Sequence, residues 1–118
     1  MRHDKKGILI LKKNMEVAIL IQGWTDFQKG VETRPTGYNE VNIAYNGLLA
    51  KSGADQMYLH CGFGEPKYWR NVSTIKMDRS ARGWETNMRL QDNTVSFCFK
   101  DSANNWDNNN GFNWTLRS

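Results

Sequence analysis

Apolar side chains recur at every second position through most of the chain. Val41, Ile43 and Tyr45 form one such set. Met57, Leu59, Cys61 and Phe63 alternate with Tyr58, His60 and Gly62. Ile75 and Met77 make a shorter set, and Trp84, Thr86, Met88 and Leu90 a longer one. Val95, Phe97 and Phe99 alternate with Ser96, Cys98 and Lys100, and Phe112, Trp114 and Leu116 close the chain. A period of two marks a strand with one face buried. Asn46-Gly47, Ser52-Gly53, Gly64-Glu65-Pro66, Arg82-Gly83 and Asp92-Asn93 carry turn chemistry between these sets. Six short strands separated by turns predict an antiparallel β-sandwich or a small barrel.

Upstream of residue 38 the pattern is less regular. Ile8–Leu11 and Val17–Ile21 fit either a hairpin or one frayed helix. Gly30–Gly37, with Pro35 inside it, reads as a linker. These signals divide the chain into an N-terminal extension and linker, 1–37, and a module, 38–118. At 118 residues there is room for one small domain. The two N-terminal apolar runs are short and split by Lys12 and Lys13, with no small-residue cleavage site after them. Nothing is long enough to span a membrane, so no membrane partner is expected, and the expected location is the cytoplasm. Cys61 and Cys98 are then expected as thiols, although pairing is left open by the sequence.

Charge narrows the functional classes. Residues 1–13 carry five basic side chains against Asp4 alone. Residues 14–118 carry eleven basic and eleven acidic side chains. A nucleic-acid binder needs a basic face that follows phosphates, and the body has no excess from which to build one. The basic arm offers a place for a protein partner.

Catalytic and metal chemistry find little support. Only His60 could act as a base within the body, because His3 lies in the arm. Neither Cys61 nor any serine stands in a nucleophile motif. Eleven acids leave a glycosidase-type carboxyl pair open on paper, but a small sandwich rarely encloses the cleft it needs. His60 and Cys61 are neighbours on a strand and point to opposite faces, so they cannot share an ion without a bulge. There is no CxxC. Asp107–Gly111 departs from a calcium loop, since glycine falls fifth from Asp107 and residue 118 is Ser where glutamate is required. No catalytic residue, cofactor or metal is expected.

The aromatic residues are more informative. Five Trp, five Phe and four Tyr are many for this length. Trp84 and Trp114 are in phase with apolar neighbours and are expected in the core. Trp69 lies in the turn-like stretch Gly64–Asn71, and Trp106 among Asn104, Asn105, Asp107 and Asn108–Asn110. An exposed indole costs solvation and calls for a function. A pyranose supplies one: its apolar C–H faces meet flat rings, and its hydroxyls meet amides and charged groups that donate and accept. Each residue also has a structural reading. His60 can be a satisfied strand histidine, either Trp can fold back as a plug under its loop, and the Asn run can be a turn using φ > 0.

Taken together, Val41–Gly47, Tyr58–Gly64, Trp69–Val72, Gly83-Trp84-Glu85 and above all Phe97–Gly111 resemble starch-binding modules of families 25 and 53. The resemblance covers about 38–118. It implies an all-β, immunoglobulin-like antiparallel β-sandwich without catalytic activity. The implied ligand is α-glucan: starch, glycogen or maltooligosaccharides. It also implies a stacking platform of one strand histidine and two loop tryptophans, which by motif are His60, Trp69 and Trp106. Asn104, Asn105, Asn109 and Asn110 are the implied hydrogen-bonding amides. Two other classes compete: a β-barrel that stacks nucleic-acid bases, and a sandwich that anchors a protein through an exposed Trp.

Overall fold

The computed structural model describes residues 22–65 and 67–117, together with the backbone of three short strands in the N-terminal arm. Those three are Arg2–His3 (β1), Leu9–Lys13 (β2) and Glu16–Ile19 (β3), which pair antiparallel in the order β1-β2-β3. Of the two readings open for the arm, the hairpin is the one adopted, with Lys13 opposite Glu16. Ile8, Leu20, Ile21 and Pro66, named in the sequence reading, lie outside the described residues.

Two antiparallel sheets form the body, and their inner faces pack together as a β-sandwich. The first sheet comprises Thr25–Asp26 (β4), Val31–Gly37 (β5), Glu40–Tyr45 (β6), Asp78–Ser80 (β9) and Gly83–Arg89 (β10), in the order β4-β5-β6-β10-β9. The second comprises Met57–Phe63 (β7), Arg70–Lys76 (β8), Thr94–Asp101 (β11), Trp106–Asp107 (β12) and Trp114–Arg117 (β13). Here β11 is flanked by β7 on one side and by β12 and β13 on the other. One helical turn, Leu48–Lys51 (α1), joins β6 to β7 where the sequence signalled only turns.

The period-two sets lie on the inner faces. Val41, Ile43 and Tyr45 stand opposite Met88, Thr86 and Trp84, and Phe63, Cys61 and Leu59 opposite Val95, Phe97 and Phe99. Tyr45 stacks on Phe99 with centroids 4.1 Å apart, and Trp114 packs on both Phe97 and Phe99. Trp84, Trp114 and Leu116 are buried as expected, but Phe112 is exposed and precedes its strand.

The linker reading of Gly30–Gly37 is corrected. Val31 and Thr33 point inward from a continuous strand, and Pro35 faces Val41. Proline is tolerated there because β4 and the Trp24 carbonyl pair with Val31, Glu32 and Thr33, leaving Pro35 beyond them at the sheet edge. Further upstream, Trp24 stacks on Phe97, and the Trp114 indole donates to Asp26 Oδ2 at 3.2 Å. The sandwich therefore extends upstream of the boundary drawn at 37.

Candidate functional site

The outer face of the second sheet gathers three aromatic side chains outside the core, His60, Trp69 and Trp106. His60 on β7 faces outward between Cys98 on β11 and Thr74 on β8, its direct cross-strand neighbours. Its Nδ1 lies 2.8 Å from Thr74 Oγ1, which fixes the ring and leaves Nε2 as the outward nitrogen. Partial burial and the positive charge of Lys100 hold the imidazole below its ordinary pKa, so it is neutral at pH 7.

Two indoles flank this imidazole. Trp69 lies 5.7 Å from it, centroid to centroid, at an interplanar angle of 36°. Trp106 lies 5.2 Å away at 84°. Rings set at such different angles suit a curved ligand rather than a flat one. Trp106 is 47% exposed, whereas Trp69 is half-buried. The plug reading of Trp69 is thus half right: its inner edge covers the sheet at Gly62, where any side chain would collide with it. Its indole N–H is buried without a hydrogen-bond partner. Such a group costs about 1–3 kcal/mol, so packing elsewhere must hold the ring in place. The loop bearing Trp69 is clamped at both ends by ion pairs, Glu65 with Arg117 and Arg70 with Asp92.

Trp106 is positioned from the core outward. It sits on β12 opposite Lys100, and its neighbour Asp107 turns inward to accept a 2.6 Å hydrogen bond from the Tyr45 hydroxyl. Burial, followed by the Asp107 contact, pushes the Tyr45 phenol far above its ordinary pKa, so it stays a donor. Asp101 shapes the preceding loop. Its Oδ1 accepts the backbone N–H groups of Ala103 and Asn105, and its Oδ2 accepts the Asn105 amide. Those hydrogen bonds, Asn105 first, hold the Asp101 carboxyl below its ordinary pKa.

The four predicted asparagines divide by role. Asn104 adopts φ 62° and accepts a hydrogen bond from Lys100 Nζ beside Trp106. The Asn105 amide is spent on Asp101, and the Asn109 amide donates to the Asn113 carbonyl. Asn110 is exposed at φ 56°. Asn104 is the one of the four whose side chain bonds to a group over the platform.

Sequence reasoning missed Lys100, Tyr58 and Thr74. The Lys100 ammonium lies over the Trp106 ring at 5.3 Å and the Tyr58 ring at 5.8 Å, a cation–π contact on each side. The period-two pattern carried this signal, since Tyr58 is in phase with His60, and Lys100 with Cys98. Cys61 and Cys98 are both free and buried. Cys61 stands opposite Phe97 and Cys98 opposite His60, so the thiols lie on opposite faces of the sheet and do not pair. Burial pushes Cys98 up to about 11 and raises Cys61 as well, so both remain inert thiols. Among the described residues no cluster of His, Cys, Asp and Glu is placed to hold a metal ion.

Residues 41–99 match the profile of the starch/carbohydrate-binding module, family 53. The chain belongs to this family. The matched span includes β7 and most of β11, with His60 and Trp69, while Lys100, Asn104 and Trp106 lie beyond its end. The chain is also 37% identical over 83 residues to an α-amylase of Clostridium acetobutylicum, a match covering 68% of this chain and 10% of the amylase. It thus spans about a tenth of the length of that curated relative. No solved structure matches.

Proposed function

We propose that this family 53 module is non-catalytic and binds α-1,4-linked glucans by stacking glucose rings on Trp69 and Trp106, with His60 between them. The observation that carries the reading is the pair of indoles set at unlike angles around one neutral imidazole on the outer face of the second sheet. An α-1,4-glucan curves, so successive sugar faces meet rings that are not coplanar. Lys100, Asn104 and His60 Nε2 supply hydrogen bonds to the hydroxyl rim. Membership in a family of binding modules supports binding without hydrolysis.

A shallow site implies a weak dissociation constant of about 0.1–1 mM, or roughly −4 to −5.5 kcal/mol. Titration with maltoheptaose should change the intrinsic tryptophan fluorescence saturably, and a cello-oligosaccharide should not. Trp69→Ala and Trp106→Ala should each weaken maltoheptaose binding by about 2 kcal/mol, as for aromatic hot spots. Wild-type affinity in both variants would remove these rings from the site.

A further inference from the structure

Trp106 has a second neighbourhood. Away from His60 it forms a wall of an open groove of about 600 Å³, between α1 on one side and the 101–105 loop on the other. That volume lies within the range of ligand clefts, about 300–1,000 Å³. Leu48 on α1 is 66% exposed at the groove, and Ala54 adds a second apolar surface. Asp55 and Ser102 stand on its polar side. The Asp101 carboxylate is already occupied by Asn105 and Ala103, so Asp55 is the carboxylate left to accept hydrogen bonds from a ligand. A lining that mixes an indole and Leu48 with a hydroxyl and carboxylates suits a neutral polyol and repels phosphate.

We propose that this groove is a second binding segment, which takes the glucose units that follow those stacked on the platform. The proposal rests on the glucan reading of the platform and deepens it: the preferred ligand becomes a long α-glucan chain rather than a short maltooligosaccharide. Trp106 joins the two segments, because one ring borders both. A chain leaving the platform across Trp106 enters the groove, where Leu48 meets a sugar face and Asp55 and Ser102 meet hydroxyls. A short oligosaccharide is used up on the platform and gains nothing from the groove.

The test compares maltotriose with maltoheptaose by NMR titration, in the wild type, Ala103→Trp and Leu48→Ser. Ala103 is exposed in the groove and bonds to Asp101 through its backbone, so an indole there fills the space and keeps the loop bond. Leu48 is exposed, so its loss spares the core. Both variants should bind maltotriose like the wild type and maltoheptaose about tenfold more weakly, a loss of about 1.4 kcal/mol. The several frames in which maltoheptaose can bind are common to all three proteins and cancel. Unchanged maltoheptaose affinity in both variants overturns the second segment. So does an equal loss for both sugars, which would mean that the change had reached the platform. If the wild type binds neither sugar, the glucan reading itself fails, and the groove falls with it.

Discussion

Gly62 has no side chain where Trp69 lies. A Cβ at this position would sit 2.7 Å from Trp69 Cβ, 3.0 Å from its Cε3 and 3.1 Å from Val72 Cγ2. The site coincides with a shift in the β7–β8 register between Cys61 and Phe63, which lets the loop return across the sheet. Gly62→Ala should therefore expel the indole rather than break the sandwich. Overpacking of this kind costs about 1–3 kcal/mol, visible as a lower urea midpoint with an unchanged far-ultraviolet dichroism spectrum. Maltoheptaose affinity should fall with it, and wild-type affinity in a folded Gly62→Ala would show that the placement of Trp69 is irrelevant. His60 gives a second prediction at this scale. Its folded pKa lies below the unfolded value of about 6.5, so the unfolded chain takes up the proton first. Its contribution to stability is then complete above about pH 6.5 and is lost as pH falls through the lower folded pKa. His60→Gln should flatten stability across that window, as followed by urea denaturation at several pH values. An unchanged slope would mean that the imidazole is not held neutral.

Short elements owe their positions to single polar contacts. The two-residue strand β12 presents Trp106, and the Tyr45–Asp107 hydrogen bond ties it to the core. The same hydroxyl accepts the Leu49 N–H at 3.1 Å and so also holds α1, which borders the groove. Tyr45→Phe keeps the stacking on Phe99 but leaves the Asp107 carboxylate and the Leu49 N–H without this partner. Unsatisfied groups of this kind cost about 1–3 kcal/mol. A stability loss of that order, together with weaker maltoheptaose binding, is the expected result. Lost stability with full binding would show that β12 is held by other contacts. The elements that were legible in the sequence are those whose large apolar side chains fall at every second position: β6, β7, β10, β11 and β13. Strand β8 is exposed at nearly every residue and shows no alternation, so only Ile75 hinted at it. Strand β5 alternates only at Val31 and Thr33, and its Pro35 and Gly37 read as breakers because nothing in a sequence marks a strand as an edge. His60, Trp69 and Trp106 stood out as aromatics without a core role. The division of labour among Asn104, Asn105, Asn109 and Asn110 depended on loop geometry that composition does not carry.

On the scale of the whole molecule, charge separates the glucan reading from the nucleic-acid reading. The chain carries a formal +4, yet residues 14–118 are balanced at eleven basic and eleven acidic side chains. Much of that basic charge is already neutralised locally. Arg82 and Arg34 bridge to Glu32 on the first sheet, and Arg70 and Arg117 pair with Asp92 and Glu65 around the Trp69 loop. At the platform, Lys100 is the cation over the rings, and Asn104 accepts from it. A protein that reads phosphates through six or more such contacts loses about 10³-fold or more in affinity between 50 and 200 mM salt, because it releases condensed counterions. A neutral glucan releases none. Maltoheptaose affinity should therefore change by less than about twofold between 50 and 500 mM NaCl, since stacking and hydroxyl contacts carry no net charge for salt to screen. A single-stranded oligonucleotide that outcompetes maltoheptaose at 50 mM salt and loses that affinity steeply by 200 mM would instead assign the platform to bases stacked between phosphates rather than to glucose.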